Sequence, residues 1–211
     1  MKKKFLKFLI TAGPTRENLD PVRYLTNRSS GKMGYALAAA AKKVGGDVVL
    51  VSGPVSLEAP VGVKVIPVVT AREMHKAVMA RFKPADVIIK VAAVSDYRPS
   101  VVSVKKIKKD KETLTLKLVK NPDILKELGK KKKPAQILVG FAAETNDIFK
   151  YGFKKLVEKK CDYMVVNKVG KNLGFEKDSN HVFIFSKDGK KVEIKGSKKN
   201  VAKKIIELIC K

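Results

Sequence analysis

Residues 31–54, GKMGYALAAAAKKVGGDVVLVSGP, predict a helix followed by a strand, and this pair decides the fold class. The alanine-rich run from Gly31 to Ala41 favours a helix, and Gly45-Gly46 ends it. Asp47–Ser52 is then a short strand that stops at Gly53-Pro54. Because the strand is apolar almost throughout, we expect it in a parallel sheet that helices cover on both faces.

The same alternation continues on both sides, with further strands predicted at residues 5–12, 63–69, 86–94, 136–141 and 163–167. A helix is predicted from Thr70, which forms a capping box with Glu73, to about Phe82. Further helices are predicted at 122–130 and at 147–160, the second with the apolar stripe Ile148, Phe149, Phe153, Leu156 and Val157. A final amphipathic helix carries Val201, Ile205, Leu208 and Ile209. This order indicates an α/β fold with a Rossmann-like, doubly wound, mostly parallel sheet. Ligands bind such sheets at the carboxyl ends of the strands, here the loops at 13–30, 53–61 and from 92 onward.

Two segments depart from this alternation. Residues 105–121 alternate in polarity and predict an antiparallel flap or dimerisation arm at about 98–121, whose apolar face carries Leu114, Leu116 and Leu118. An apolar face of this kind has to pack against another surface, and we expect that surface to belong to a second subunit. Residues 182–185 and 191–194 flank Asp188-Gly189 and predict a C-terminal hairpin. No linker divides the chain, so residues 1–211 are expected to form a single domain.

The composition excludes several classes of protein. In 211 residues, 45% are hydrophobic, which is enough to bury a core and excludes a wholly disordered chain. No apolar stretch approaches the roughly 20 residues that span a bilayer, and the N-terminus lacks the apolar region of a signal peptide. Two cysteines, Cys161 and Cys210, cannot form a disulfide scaffold or a four-ligand zinc site, and both are expected to be small buried residues. Because a disulfide framework and a signal peptide are both missing, a cytoplasmic protein is expected. His75 and His181 are expected to have structural roles.

The charge is strongly positive. Lys and Arg number 46 against 20 Asp and Glu, a formal charge of +26, which favours an anionic partner or simply a lysine-coated surface. A basic nucleic-acid-binding module on a Rossmann-like scaffold is one alternative. Against it, the chain has no Trp, only 7% aromatic residues and no RNA-binding signature, so nucleic acid is an unlikely partner.

Four places carry candidate chemistry, and each has an ordinary alternative. Ser29, Ser30 and Gly31 at a helix start offer N–H groups to a phosphate, or form a serine cap. The small residues Ala92 and Ala93 let a ligand approach the backbone. Asp96, beyond them, either accepts a hydrogen bond from a sugar hydroxyl or begins a turn. Phe141 stacks on a base or belongs to the core. Lys155 and Lys159, four residues apart, reach a triphosphate or remain solvated.

The motifs that are missing narrow the choice further. The sequence has neither G-x-G-x-x-G nor a P-loop, which argues against a third alternative, an NAD(P)-dependent reductase. Tyr97 and Lys106 also lack the four-residue spacing of a helical Tyr/Lys catalytic pair. We find no obvious nucleophile or general base. This pattern suits electrostatic stabilisation of phosphoryl and acyl groups, with nucleophiles that come from the substrates.

Taken in order, seven segments resemble the phosphopantothenoylcysteine synthetases, the phosphopantothenate–cysteine ligases of coenzyme A biosynthesis: TAGPTRE (11–17), DPVRYLTN (20–27), SSGKMG (29–34), AAVSDYR (92–98), KIKK (106–109), KNPDI (120–124) and GFAAET (140–145). The likeness covers essentially the whole chain. It implies that the carboxylate of 4'-phosphopantothenate attacks the α-phosphate of CTP, with Mg²⁺ on the phosphates, and that the amine of cysteine then displaces CMP.

The resemblance also implies roles for residues, and a homodimer. Asn27 and Arg23 match catalytic residues that bind the acyl-nucleotidylate and the substrate, and Lys106 matches a flap lysine that supports the intermediate. Nucleotide-binding positions are matched by Asp96, Lys106, Pro122, Asp123, Ile124, Phe141, Lys155 and Lys159. Substrate-binding positions are assigned to Asn27, Arg23, Ser29, Ser30, Gly31, Ala92 and Ala93. No metal site of the protein's own is implied.

Two departures from the family matter. Many bacterial members follow a flavin-dependent decarboxylase, whereas this chain begins at the synthetase half. We therefore expect no FMN, and a separate decarboxylase is a possible partner. The segment after Lys109, Asp110-Lys111-Glu112, is short, which leaves the length of the flap open. The choice between CTP and ATP also stays open, because it depends on backbone contacts and pocket shape.

Overall fold

The computed structural model describes residues 5–108, 112–144, 147–168 and 179–210. In chain order its elements are β1 (Lys7–Ala12), β2 (Arg16–Asn18), β3 (Tyr24–Thr26), α1 (Lys32–Lys43), β4 (Asp47–Ser52), β5 (Lys64–Pro67), α2 (Ala71–Met79), β6 (Val87–Lys90), β7 (Tyr97–Pro99), β8 (Leu118–Lys120), α3 (Ile124–Lys131), β9 (Ile137–Glu144), α4 (Ile148–Glu158), β10 (Tyr163–Lys168), β11 (Ser179–Ser186), β12 (Lys191–Ser197) and α5 (Lys198–Ile209). Lys109, Asp110, Lys111 and Thr145, which the motif comparison uses, lie outside the described residues.

Eight strands form the central sheet, in the order β12-β11-β10-β9-β6-β1-β4-β5. The six neighbouring strands β10, β9, β6, β1, β4 and β5 pair in parallel, whereas β11 pairs antiparallel with both β10 and β12. Counted along the chain, the six parallel strands have the 3-2-1-4-5-6 order of the doubly wound dinucleotide-binding fold. The predicted fold class is therefore confirmed, and the strand order reverses between β1 and β6.

Helices cover both faces of the sheet. The core on one face is built by α1 and α5, and the core on the other face by α2, α3 and α4. Helix α1 approaches β1 closely, because a Cβ added at Gly34 would lie 2.5 Å from the Cβ of Ala12. The alanines of α1 serve the same approach, and Ala38 and Ala41 are fully buried. The capping box of Thr70 and Glu73 at the start of α2 is confirmed.

Strand β6 ends earlier than the sequence pattern predicts. It stops at Lys90 rather than Val94, so that Ala92 and Ala93 belong to the following loop. The C-terminal hairpin is confirmed as β11 and β12. None of the helices in the described ranges is long and apolar enough to span a membrane.

The predicted arm has much less strand than expected. Within the described part of residues 105–121, only Leu118–Lys120 is a strand, and it pairs with Tyr97–Pro99 in a separate two-stranded sheet. Leu114 and Leu116 are 56% and 37% exposed. The alternation supplies an apolar face, but no described apolar surface of the chain covers it, so the extended pairing does not form.

The predicted apolar stripe on α4 is only partly confirmed, because Leu156 is buried and Ile148 is half-buried against the core. Phe149, Phe153 and Val157 are 48%, 53% and 60% exposed, whereas Gly152 and Leu156 are buried. A Cβ added at Gly152 would lie 2.7 Å from the ring of Phe185, so the glycine draws that side of the helix onto the sheet. Phe149 instead packs edge-on against neighbouring rings at the rim.

The two cysteines differ in burial, and both histidines form ion pairs. Cys161 is buried, as predicted, and burial raises the pKa of its thiol to about 12. Cys210 is exposed, so its predicted burial is wrong, because it is the C-cap residue of α5 and lies beyond the buried face of the helix. His75 and His181 each pair with a glutamate, Glu127 and Glu193 respectively, at 2.7 Å.

Candidate functional site

The loops that follow β1 and β6 are joined beyond the strand ends, where the strand order reverses. The amide of Thr15 donates to the carbonyl of Ala93 (3.2 Å), and the amide of Ala93 donates to the carbonyl of Gly13 (2.9 Å). The hydroxyl of Thr11 accepts from the amides of residues 91 and 92, both at 3.1 Å. The loop backbones are thus rigidly held while their side chains stay small, which leaves room for ligands at this edge.

One cavity, which we name the α1 cavity, has a volume of about 150 Å³ and lies at the N-terminus of α1. Its walls contain five of the residues predicted to bind substrate, namely Ser29, Ser30, Gly31, Ala92 and Ala93. Phe141 and the end of β9 close one side.

The N-terminus of α1 has no serine cap. Gly31 is the N-cap residue, with φ of +75°, and no side chain in the described part of the chain caps the helix. A Cβ at Gly31 would lie 2.7 Å from a methyl group of Val55, so both the conformation and the close approach require glycine. A helix start whose N-cap residue is glycine fits an anion seat better than it fits the ordinary serine cap.

Asn27 lies beside the α1 cavity. Its side-chain amide donates to the carbonyl of Ala93 at 3.2 Å. This contact places the side chain next to the loop of Ala92 and Ala93, which are predicted to bind substrate. Asn27 itself is not among the residues that line the cavity.

Arg23 connects the β2–β3 hairpin to the arm. Two of its guanidinium nitrogens donate to the carboxylate of Asp20, at 3.0 and 2.5 Å, and one also donates to the carbonyl of Ile107 at 2.8 Å. The Arg23 hydrogen bond holds the pKa of Asp20 well below its usual range, although burial opposes it. Lys106, which precedes Ile107, is exposed and lines neither cavity described here. The structure therefore ties Arg23 to the segment that carries Lys106, but it does not bring the Lys106 ammonium to a cavity.

A second cavity, which we name the α3 cavity, measures about 350 Å³ and lies between the loop after β6, α3 and α4. Every predicted nucleotide-binding residue except Lys106 lines it: Asp96, Pro122, Asp123, Ile124, Phe141, Lys155 and Lys159. Phe141 borders both cavities, so they meet at the end of β9.

Carboxylates hold the two helix lysines in the wall of the α3 cavity. Lys159 pairs with Asp123, and Lys155 pairs with Glu144 at 2.6 Å. Asp123 also caps α3 by accepting from the amide of Lys126. Burial would raise the pKa of Asp123, but the hydrogen bond from Lys159 keeps it below its ordinary value. These pairs place two cations on one wall, where an anionic ligand can compete for them.

Lys90 is a residue of the α3 cavity that the sequence analysis does not include. It ends β6, and its ammonium donates to the carbonyl of Ala92 at 3.0 Å. Burial lowers its pKa to about 8, and the charges of Asp123 and Asp96 oppose that shift. The sequence contains one sign of this residue's role, because Lys90 is a charged residue within an apolar run.

The sequence analysis also does not identify three asparagines that border the two cavities. Asn121 donates to the carbonyl of Ser95 at 2.9 Å and so positions the loop that carries Asp96. Asn167 and Asn180 line the α1 cavity, and their side-chain oxygens are buried without a hydrogen-bond partner among the described residues. Among the described residues, no cluster of three or more His, Cys, Asp or Glu side chains is arranged to hold a metal ion.

Residues 4–211 match the model of a protein family described as the DNA/pantothenate metabolism flavoprotein C-terminal domain. The chain belongs to this family. The resemblance found in the sequence motifs is thereby confirmed. Among curated members with similar sequences is the coenzyme A biosynthesis bifunctional protein CoaBC of Bacillus subtilis, 54% identical over 188 residues, which are 88% of this chain and 46% of the relative. CoaBC of Escherichia coli is 49% identical over 193 residues, 90% of this chain and 48% of the relative.

The chain spans about half the length of these curated relatives. Among solved structures, the C-terminal domain of a CoaBC protein superposes with a TM-score of 0.83 at 43% identity, covering 97% of this chain and 93% of that one. A Cab2 mutant in complex with phosphopantothenate-cysteine has a TM-score of 0.78 at 17% identity, covering 97% and 85%, and shares the fold.

Proposed function

We propose that this chain is a phosphopantothenate–cysteine ligase of coenzyme A biosynthesis, which uses CTP and forms 4'-phosphopantothenoylcysteine, CMP and pyrophosphate. The observation that carries the proposal is the α3 cavity, whose walls contain seven of the eight residues that the family motifs assign to the nucleotide. It adjoins the α1 cavity at Phe141, which suits a reaction between a nucleotide and a second substrate. The naming of the CoaBC relatives supports the same pathway.

In the first step, a carboxylate oxygen of 4'-phosphopantothenate attacks the α-phosphorus of CTP, and pyrophosphate leaves. Lys155 and Lys159 exchange their carboxylate partners for phosphate oxygens and stabilise the charge that the leaving group gains. Asp96 accepts from a hydroxyl or amine of the nucleoside, and Phe141 offers a ring to the base. Mg²⁺ enters with the nucleotide as its phosphate complex.

In the second step, the amine nitrogen of cysteine attacks the acyl carbon, CMP leaves, and the amine loses a proton. Asn27 donates its amide to the acyl-nucleotidylate, and it cannot compete as a base. Arg23 fixes the segment that follows Lys106, so that a small movement of the arm would carry the Lys106 ammonium toward the intermediate and exclude water. No nucleophile of the protein is needed.

The assembly and location are part of the same proposal. We place the enzyme in the cytoplasm as a homodimer, with the exposed Leu114 and Leu116 of the arm against the second copy. FMN has no role in the two steps above. A separate decarboxylase that supplies or consumes intermediates remains a predicted partner.

The test is pyrophosphate release from purified protein with 4'-phosphopantothenate, Mg²⁺ and either CTP or ATP, before and after L-cysteine is added. We expect release that requires phosphopantothenate and is faster with CTP. A preference for ATP would correct the base, and no release with either nucleotide from folded protein would refute the ligase.

Two neighbouring lysines of α4 provide a matched pair of variants. Lys155→Met should lower kcat/KM for the nucleotide about 30-fold, the value of a hydrogen bond to a charged group worth about 2 kcal/mol. Lys154→Met removes an exposed lysine that pairs only loosely with Glu158, at 3.8 Å, and should leave kcat/KM unchanged. Equal effects of the two substitutions would argue against a specific phosphate contact.

A further inference from the structure

The arm leaves and re-enters the fold at the wall of the α3 cavity. Its first strand, β7, begins directly after Asp96, and its last strand, β8, ends directly before Asn121 and Pro122. These three residues all line the α3 cavity. Both ends of the segment that carries Lys106 therefore belong to the site that we assign to the nucleotide, although Lys106 itself lines neither cavity.

Asn121 joins the two ends of the arm. Its backbone amide donates to the carbonyl of Asp96 at 2.8 Å, and its side-chain nitrogen donates to the carbonyl of Ser95 at 2.9 Å. Its side-chain oxygen accepts from the guanidinium group of Arg98 at 3.2 Å. Both polar atoms of the side chain are thus occupied, and the following proline restricts the backbone to extended conformations. Asn121 therefore fixes the end of β8 against the loop from which β7 begins.

Arg98 completes this junction from β7. One of its guanidinium nitrogens donates to the side-chain oxygen of Asn121 and also to the carbonyl of Lys120, at 2.5 Å. Both acceptors are neutral oxygens, so the contacts hold the two strands together rather than neutralise a charge. We name these side-chain hydrogen bonds of Arg98 and Asn121 the arm clasp. Its inner end is rigid, because Ser95 is buried and its amide donates to the hydroxyl of the fully buried Thr15 at 3.0 Å.

A second anchor holds the middle of the arm. The guanidinium group of Arg23 donates to the carbonyl of Ile107, and the amide of Ser103 donates to the carbonyl of Leu19 at 2.9 Å. These contacts reach the connection between β2 and β3, and neither Arg23 nor Leu19 lines the α3 cavity. Of the two anchors, the arm clasp is therefore the one through which the nucleotide cavity can act on the position of Lys106.

We propose that Arg98 and Asn121 are positioning residues for the first step of the reaction. Through the arm clasp they hold the base of the arm against the nucleotide cavity, and so fix the position from which Lys106 approaches the acyl-nucleotidylate as it forms. The inference rests on the proposed function, which supplies the nucleotide and the role of Lys106. It gives neither side chain a contact with a substrate, so their effect on the rate should depend on Lys106.

The experiment separates nucleotide binding from the first step in the Asn121→Ala and Arg98→Met variants. Binding is measured as the calorimetric Kd for CTP with Mg²⁺, and the first step as the single-turnover burst of pyrophosphate when 4'-phosphopantothenate is added. We expect each variant to slow the burst about tenfold, the value of one hydrogen bond to a charged group. We expect Kd to change less than about threefold, because the backbone bond between Asn121 and Asp96 and the lysines of α4 remain.

A double-mutant cycle with Lys106→Met distinguishes positioning from general damage to the fold. If the arm clasp acts through Lys106, Asn121→Ala should slow the burst by less than about twofold once Lys106 is already replaced. A merely structural role would give the same loss in both backgrounds. Arg98→Lys, which can still donate to one of the two oxygens, should retain more of the burst than Arg98→Met. Asn200→Ala, at an exposed position of α5, is the control and should change neither measurement.

Equal slowing with and without Lys106 would overturn the proposal, and so would an unchanged burst in both single variants or a Kd that rises as much as the burst slows. The thermal midpoint of each variant is measured alongside, to establish that the protein is folded. A wild-type protein without any burst would instead refute the ligase. In that case, amide hydrogen exchange still tests the arm clasp at Ser100, whose amide donates to the carbonyl of Lys117: faster exchange in Asn121→Ala supports the clasp, and exchange equal to the wild type overturns it.

Discussion

At the residue scale, the charge of Lys90 should control how nucleotide binding depends on pH. Burial lowers its pKa to about 8, and a bound phosphate favours the charged form. We therefore expect KM for the nucleotide to increase between pH 7 and pH 9 in the wild type, as the free ammonium loses its proton. Lys90→Met should increase KM about tenfold at pH 7, for a charged hydrogen bond worth about 1.5 kcal/mol, and should flatten this part of the profile.

The pH profile is measured as kcat/KM for the nucleotide, with Lys154→Met as the control for the loss of one positive charge on the cavity side of the sheet. Parallel profiles for wild type and Lys90→Met would contradict a phosphate contact. Stability provides an independent check, because a lysine whose folded pKa lies below its unfolded value of 10.5 destabilises the fold below about pH 8. The free energy of unfolding of Lys90→Met should therefore exceed that of the wild type at pH 7, and the difference should shrink toward pH 10.

Individual residues also explain what the sequence could and could not predict. Asp96 lies beyond β6 and Phe141 lies in the second half of β9, both in motifs of small residues, and such positions indicate a ligand site in any doubly wound sheet. Asn167 and Asn180 lie in segments without such a motif, and they reach one cavity only because β11 returns antiparallel beside β10. That long-range pairing leaves no periodic signal near either asparagine.

At the element scale, Asp162 joins three parts of the fold. Its buried carboxylate accepts from the amide of Leu138 on β9 (2.8 Å), from Lys132 at the end of α3 (2.8 Å) and from Lys187 in the β11–β12 turn (2.7 Å). Burial would raise the pKa of Asp162, but the hydrogen bonds from the two lysines hold it below its ordinary value. Asp162→Asn should therefore lower the free energy of unfolding by about 3 kcal/mol, because Lys132, only 14% exposed, is left without its counter-charge.

Denaturant titrations across pH test the role of Asp162. A carboxyl whose folded pKa is lowered stabilises the fold above its unfolded pKa of 3.8, and this stability is lost as the pH falls below that value. Wild type and Asp162→Asn should therefore converge in stability at low pH. Glu158→Gln, at an exposed carboxylate of α4, serves as the control and should cost less than about 0.5 kcal/mol.

The arm is the element that should report on assembly. Leu114 and Leu116 are exposed, as are several valines between residues 100 and 105. If a second copy covers them, replacing both leucines with lysine should shift the protein from dimer to monomer in sedimentation experiments, with no change in the thermal midpoint of the isolated fold. An unaltered dimer, or a wild-type monomer, would remove the arm from the interface.

Helix α4 marks a limit of predictions from amphipathic patterns. Its apolar residues form a stripe in sequence, yet the side that contacts the sheet is centred on Gly152 and Leu156. Close packing at Gly152 outweighs the number of apolar side chains, because a glycine lets the helix axis approach the sheet.

At the scale of the whole molecule, the formal charge of +26 should affect substrate encounter more than chemistry. We expect kcat/KM for the nucleotide to fall as ionic strength rises from about 50 to 200 mM, while kcat changes little. A single-stranded DNA oligonucleotide at micromolar concentration should not inhibit at the higher salt. Strong inhibition there would favour the nucleic-acid-binding alternative for the lysine-rich surface.

The two cavities belong to opposite faces of the sheet, one beside α1 and α5 and the other beside α3 and α4, and both are bordered by Phe141 and by the loop after β6. Under the proposed reaction, pyrophosphate leaves from the α3 cavity, where it occupies part of the place of the CTP triphosphate. Product inhibition should reveal this overlap: pyrophosphate would compete with CTP, and raising the cysteine concentration would not relieve it.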